Sequence, residues 1–136
     1  MSVFIAERLR QFIQKRAKNR CEYCRVSVLN AYFSFHIDHV VSLKHGGLTI
    51  VDNLAYACAL CNLNKGSDIA TFLGATQIPI RFFNPRTDVW DDHFESLQTG
   101  ELISKTDIGE ATMKILKLNQ VDAIIERQEM IRFGSF

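Results

Sequence analysis

No apolar run in this 136-residue chain approaches the ~20 residues that a membrane-spanning helix needs. The N-terminal stretch is no better suited to a signal peptide, because Glu7, Arg8 and Arg10 interrupt it. A cytoplasmic location without a membrane partner is therefore the default expectation. Sequence repeats and low-complexity tracts are missing too, which argues against a solenoid or a disordered tail. Cysteine is absent outside two short pairs, and charge of either sign is in little excess, the formal net being +1. What remains, 47% apolar and 23% charged residues, is the composition of an ordinary globular protein. At this length one hydrophobic core is affordable and two are not, so residues 1–136 read as a single domain.

The small net charge conceals a gradient. Residues 1–25 carry seven Lys/Arg against two Asp/Glu, whereas residues 87–136 carry five against ten. A basic end suits a polyanion such as nucleic acid, although a basic helix can equally be a solvated face or pair with the acidic tail.

Ser2 is a candidate N-cap for a basic amphipathic helix within residues 1–20. Ile5, Leu9, Phe12, Ile13 and Ala17 recur at helical spacing to about Lys18, with Arg8, Arg10, Lys15 and Lys18 opposite. The aromatic and β-branched run Tyr32 to Val41 reads as a strand, and Leu54 to Ala57 as a second. Asn62 to about Phe72 reads as helical, with a break at Gly66. Further on, residues 78–83 and 101–104 read as extended, and Asn84-Pro85-Arg86-Thr87 as a turn. Trp90, His93 and Phe94 are expected to close over the core. Asp107 with Glu110 has capping-box spacing for a helix to Leu118, and a last helix covers about 121–132.

Every cysteine belongs to Cys21-x-x-Cys24 or Cys58-x-x-Cys61, with 33 residues between the pairs. Two separated pairs favour zinc over disulfides or a redox motif, because four thiolates complete a closed tetrahedral shell. Such a site has no open position, so Zn²⁺ would organise the fold and not activate water. A thiol redox protein stays as the alternative that zinc content and thiol reactivity decide.

Between and after the pairs stand residues with the chemistry for phosphodiester hydrolysis. An unperturbed imidazole, pKa about 6.5, is mostly neutral at physiological pH, so His39 suits a general base. Asp38 and Asn62 offer hard oxygen donors for Mg²⁺ or Mn²⁺. Lys65, three residues after Asn62, either reaches a phosphate from the same helix face or is simply exposed. His36 shares a strand face with Asp38 and is a further substrate or metal contact, while Lys44 and His45 sit in a loop that can touch a nucleic-acid backbone or merely be solvated. Adjacent Asp38 and His39 point to opposite faces of a regular strand, so reaching one site requires the strand to twist, bulge or end there.

Cys21-x-x-Cys24, Asp38-His39-Val40, Gly46-Gly47, Asn53-Leu54 and Cys58-x-x-Cys61-Asn62-x-x-Lys65-Gly66 together resemble the zinc-bearing branch of the HNH endonucleases. The resemblance implies an α+β fold: a small ββα-metal (His-Me finger) core over residues 21–72, stapled by the four-cysteine zinc site. The N-terminal helix precedes this core, and a C-terminal α/β extension over 73–136 packs on it. It also implies DNA as substrate and no small-molecule organic cofactor. His39 would be the general base, Asp38 and Asn62 the ligands of the catalytic ion, and Asn53 the structural asparagine that fixes the loop and helps orient His39. Asn62 stands where many members carry histidine, making this an H-N-N variant that exchanges a nitrogen ligand for an oxygen. The competing expectation is a non-catalytic zinc-stabilised module that binds nucleic acid or protein. Oligomeric state is not encoded in any readable signal.

Overall fold

In the computed structural model, residues 4–31, 33–75 and 77–136 are described. Helix α1 (Glu7–Arg16) leads into the first cysteine pair, and strand β1 (His36–His39) is joined by a long loop to β2 (Leu54–Ala57). Helix α2 (Ala59–Lys65) follows at once. The extension contains β3 (Ala70–Thr71), β4 (Ile80–Arg81), α3 (Trp90–His93), β5 (Phe94–Ser96), β6 (Leu102–Ser104), α4 (Asp107–Leu116) and α5 (Val121–Arg132). The strands form three separate antiparallel pairs, β1 with β2, β3 with β4, and β5 with β6. Mixed helices and small sheets around a cysteine cluster make the fold α+β.

β1 pairs with β2 so that Asp38 faces Ala55 and His39 faces Leu54. All four residues of β2 are buried, which explains an apolar strand without polar alternation. Arg16 of α1 donates to the Val51 carbonyl and to that of Leu54, where Arg86 from the extension also donates. These bonds satisfy backbone acceptors at the strand's start that the two-stranded ladder leaves over. One apolar cluster runs from Ile13 through Tyr23, Leu54 and Phe82 to Trp90, Phe94, Leu102 and Leu116. Trp90 and Phe94 close over the core as expected, while His93 is half-buried, edge-on to Phe83, with Nδ1 2.6 Å from Thr106 Oγ1.

Several boundaries differ from the sequence expectation, each for a local reason. The Ser2 cap and the Tyr32 strand start lie outside the described residues. Helix α1 begins at Glu7, and Phe12 is 51% exposed instead of facing the core. Helix α2 starts three residues before Asn62, because Cys58 is its N-cap and its sulfur accepts from Cys61 N at 3.4 Å. It ends at Lys65, where Gly66 takes φ 52° and ψ −130°, and residues 70–71 join a strand pair instead of continuing the helix. Thr106, not Asp107, caps α4, its hydroxyl accepting from Gly109 N at 3.0 Å, and that helix stops at Leu116 because Lys117 is left-handed.

Candidate active site and metal centre

The two ends of the matching pattern converge at α2. The Cys21-Glu22-Tyr23-Cys24 turn and the N-terminus of α2 bring all four sulfurs within 4.8 Å of one another. Three of the four residues are buried. Sulfur donors at this mutual spacing fit a tetrahedral structural zinc. Hydrogen bonds from Cys21, then Cys24 and Cys61, hold the Cys58 thiol far below its ordinary range, while bonding to Cys21 first of all pushes Cys24 and Cys61 up. One sulfur is thus favoured as thiolate while Cys24 and Cys61 keep their protons as its donors, a sharing that a bound cation would replace.

Beside it lies a residue that sequence reading missed. Arg127 of α5 is 0% exposed, and no carboxylate lies within ion-pair distance of it among the described residues. Its guanidinium donates to the carbonyls of Gly100 (2.6 Å), Leu118 (2.8 Å) and Cys24 (3.3 Å) and to Asn119 Oδ1 (3.1 Å). Burial lowers its pKa and the four cysteines pull it back up. A thiolate cluster is the nearest source of the counter-charge that a buried cation requires. No motif marks this position, since it lies far along the chain from the cysteines.

On the other side of α2 opens a cleft of about 720 Å³ lined by Arg10, His36, Asp38, His39, Lys44 and Asn62, among others. Asp38 and His39 reach it together because β1 ends at His39, one of the three solutions the sequence allowed. Asp38 is 3% exposed, its Oδ2 accepting from the Tyr23 hydroxyl at 2.7 Å and lying 3.2 Å from Lys65 Nζ. Burial raises the Asp38 pKa, opposed by the Lys65 ammonium and the Tyr23 hydrogen bond. The same burial, reinforced by Asp38, pushes the Tyr23 phenol well up, so it remains a donor.

Lys65 is neither a phosphate contact nor an exposed lysine. It is 2% exposed and spans Asp38 and the His39 carbonyl, the latter at 3.0 Å. Its ammonium holds the end of β1 against α2 and neutralises the buried carboxylate. The Asn62 side-chain amide makes no hydrogen bond among the described residues, and Asn62 lines the cleft. A carboxylate has about four lone-pair directions, and Asp38 commits three contacts, one to Tyr23 and two to Lys65. Carboxylate and amide oxygens are a hard donor set suited to Mg²⁺ or Mn²⁺ and not to the metals that thiolates select.

The remaining candidates divide. His36 and Lys44 are exposed at the cleft, whereas His45 is exposed but lies outside its lining. Asn53 makes no hydrogen bond to the His39 ring among the described residues, although its carbonyl accepts from Val40 N at 2.9 Å, directly after His39. Its amide accepts from Val41 N at 2.9 Å and donates to the carbonyls of Val41 (2.9 Å) and Leu48 (2.8 Å), closing the loop between the strands. The residue that does touch His39 is Thr49, whose hydroxyl is 2.9 Å from Nε2. Arg10 enters from α1, whereas Arg8, Lys15 and Lys18 of the same basic face are not among the residues that line the cleft, and the Arg10 guanidinium makes no hydrogen bond or ion pair among the described residues.

Residues 21–68 match the family model of the HNH endonucleases. Over that stretch the sequence is similar to an HNH domain. The match spans both cysteine pairs and the Asp38, His39, Asn53, Asn62 and Lys65 positions, with Arg10 and Arg127 outside it. No curated protein and no solved structure matches the chain. At the level of the family, an HNH domain indicates nuclease-type function on nucleic acid. Among the described residues, no helix is long and apolar enough to cross a membrane.

Proposed function

We propose that this chain is a metal-dependent endonuclease that hydrolyses DNA phosphodiester bonds. The observation that carries the reading is the single cleft that gathers His39, Asp38 and the unpartnered Asn62 amide beside exposed Arg10, Lys44 and His36. Lys65 neutralises the one carboxylate of that group, so the cleft presents net positive charge to a phosphodiester.

His39 acts as the general base. With Nε2 engaged by Thr49, Nδ1 has no partner among the described residues and accepts the proton of a water whose oxygen attacks phosphorus. The P–O3′ bond breaks, leaving a 5′-phosphate and, after protonation by solvent, a 3′-hydroxyl, as the family resemblance implies. Asp38 and Asn62 would hold Mg²⁺ or Mn²⁺, which would supply charge neutralisation at the phosphate and the leaving oxygen. Arg10 and Lys44 bind backbone phosphates and keep the strand in register. Cys21, Cys24, Cys58 and Cys61 hold structural Zn²⁺ and fix where α2 begins.

Incubation of the zinc-loaded protein with supercoiled plasmid tests this. Nicked or linear product with Mg²⁺ or Mn²⁺, and none with EDTA under brief exposure that leaves zinc in place, supports it. Plasmid retained in a gel shift but uncut with either ion favours the non-catalytic binding module.

A further inference from the structure

In the proposed hydrolysis, His39 must present one particular nitrogen, and imidazole has two. A neutral ring carries its proton on either Nδ1 or Nε2, and the partner of one nitrogen decides the role of the other. We propose that Thr49 is the positioning residue of His39: its hydroxyl, 2.9 Å from Nε2, orients the ring and in the reacting tautomer accepts Nε2–H, leaving Nδ1 as proton acceptor. The inference rests on the assignment of His39 as the base.

The loop between β1 and β2 is built to deliver that hydroxyl. Asn53 ties Val41 to Leu48 across the loop, leaving Thr49 as the next residue beyond the tie. Gly47 permits the closure, because a Cβ there would lie 1.7 Å from the Val41 carbonyl oxygen and 2.8 Å from Asn53 Nδ2. Gly46 makes the preceding bend at φ 88°, and Gly47 N donates to the Ser42 carbonyl at 2.9 Å. Lys65 fixes the other side of the histidine by holding the His39 carbonyl. Backbone and ring are thus pinned separately, the backbone by Lys65 and the ring by Thr49.

A hydroxyl suits the task through the whole step. It accepts from Nε2–H while the ring is neutral, and it still accepts after Nδ1 has taken the water's proton and both ring nitrogens are donors. Valine has nearly the shape of threonine and cannot accept, whereas serine keeps the oxygen.

Thr49→Val, Thr49→Ser, His39→Ala and wild type are compared in two measurements: plasmid cleavage, and long-range ¹H–¹⁵N spectra of the imidazoles above the ordinary histidine titration range. The His39 signals are those missing from His39→Ala. Wild type and Thr49→Ser are expected to show His39 protonated on Nε2, and Thr49→Val a mixture of tautomers. Since general-base catalysis contributes roughly 10²–10⁴-fold, Thr49→Val is expected to lower kcat by about 10- to 100-fold at unchanged KM, zinc content and melting temperature, with Thr49→Ser close to wild type. A wild type that cuts nothing would overturn the nuclease reading, while the spectra would still judge Thr49. An unchanged tautomer in Thr49→Val, or a Thr49→Ser as impaired as Thr49→Val, would overturn the inference alone.

Discussion

The cysteine cluster and the cleft share one seven-residue helix and are built on opposite plans. Around the cluster, polar groups are paired, sulfurs face one another, and even the nearby charge of Arg127 is sealed at 0% exposure. At the cleft, Arg10, His36 and Lys44 stand in solvent, and Asn62 and His39 Nδ1 lack partners among the described residues. Closed shells stabilise; open valences bind and react. Because Cys61 and Asn62 are consecutive on α2, damage to the closed site should reach the open one, while loss of an exposed or unpartnered cleft side chain should stay local.

The largest expected effect comes from the closed side. Stripping zinc with a chelator, or Cys61→Ser, is expected to abolish the folding transition of residues 21–68 and all cleavage with it, since structural zinc contributes about 10–16 kcal/mol in small zinc domains. Circular dichroism with plasmid cleavage reads both; an intact melt after complete zinc removal would break the comparison.

Next are the two buried cations. Lys65→Met leaves Asp38 without its counter-charge, and Arg127→Met strands four acceptors beneath the cluster. Each is expected to cost about 3–5 kcal/mol in denaturant unfolding. Only Arg127→Met should also speed zinc transfer to a chromogenic chelator, which separates the two sides of α2. Equal zinc-release rates in both variants would show that the sites are not electrically distinct.

Gly47→Ala is expected to reduce cleavage by about 10-fold or more and to cost about 3 kcal/mol or more in denaturant unfolding, because the Cβ it adds would lie 1.7 Å from the Val41 carbonyl oxygen and must displace backbone that Asn53 holds. The smallest effect comes from a pair that belongs to neither site. Hydrogen bonding to Arg81 holds the Asp88 carboxyl below its usual range. That stabilisation is present above the ordinary Asp pKa and is lost as pH falls through the depressed value. Asp88→Asn should flatten this part of the acid limb, by no more than about 1 kcal/mol because Arg81 is exposed.

Much of the core was legible because its signals are local. The second strand is Leu54–Ala57 and the last helix Val121–Arg132, as their apolar patterns indicate, and paired cysteines announce their own geometry. Asp38 and His39 are placed in one site by the resemblance to the HNH endonucleases, since strand alternation alone sets them on opposite faces unless the strand twists, bulges or ends there. What the sequence hid depends on distant partners. Lys65 has the same spacing to Asn62 whether it reaches outward or inward, and only the Asp38 carboxylate across the helix decides. Arg127 and Thr49 take their meaning from Cys24 and His39, which no spacing rule connects to them. Helix starts shifted where caps came from unexpected atoms, a cysteine sulfur at α2 and Thr106 at α4.

The division between a closed frame and an open, reacting cleft is tested most directly by His39→Ala, with zinc content, melting temperature and supercoiled-plasmid cleavage measured on one preparation beside wild type. The account predicts full zinc, a melting temperature within about 5 °C of wild type, as expected for a half-buried side chain making one hydrogen bond, and cleavage lowered by about 10²–10⁴-fold. Cleavage at the wild-type rate by His39→Ala, or loss of its zinc and fold along with activity, would contradict it.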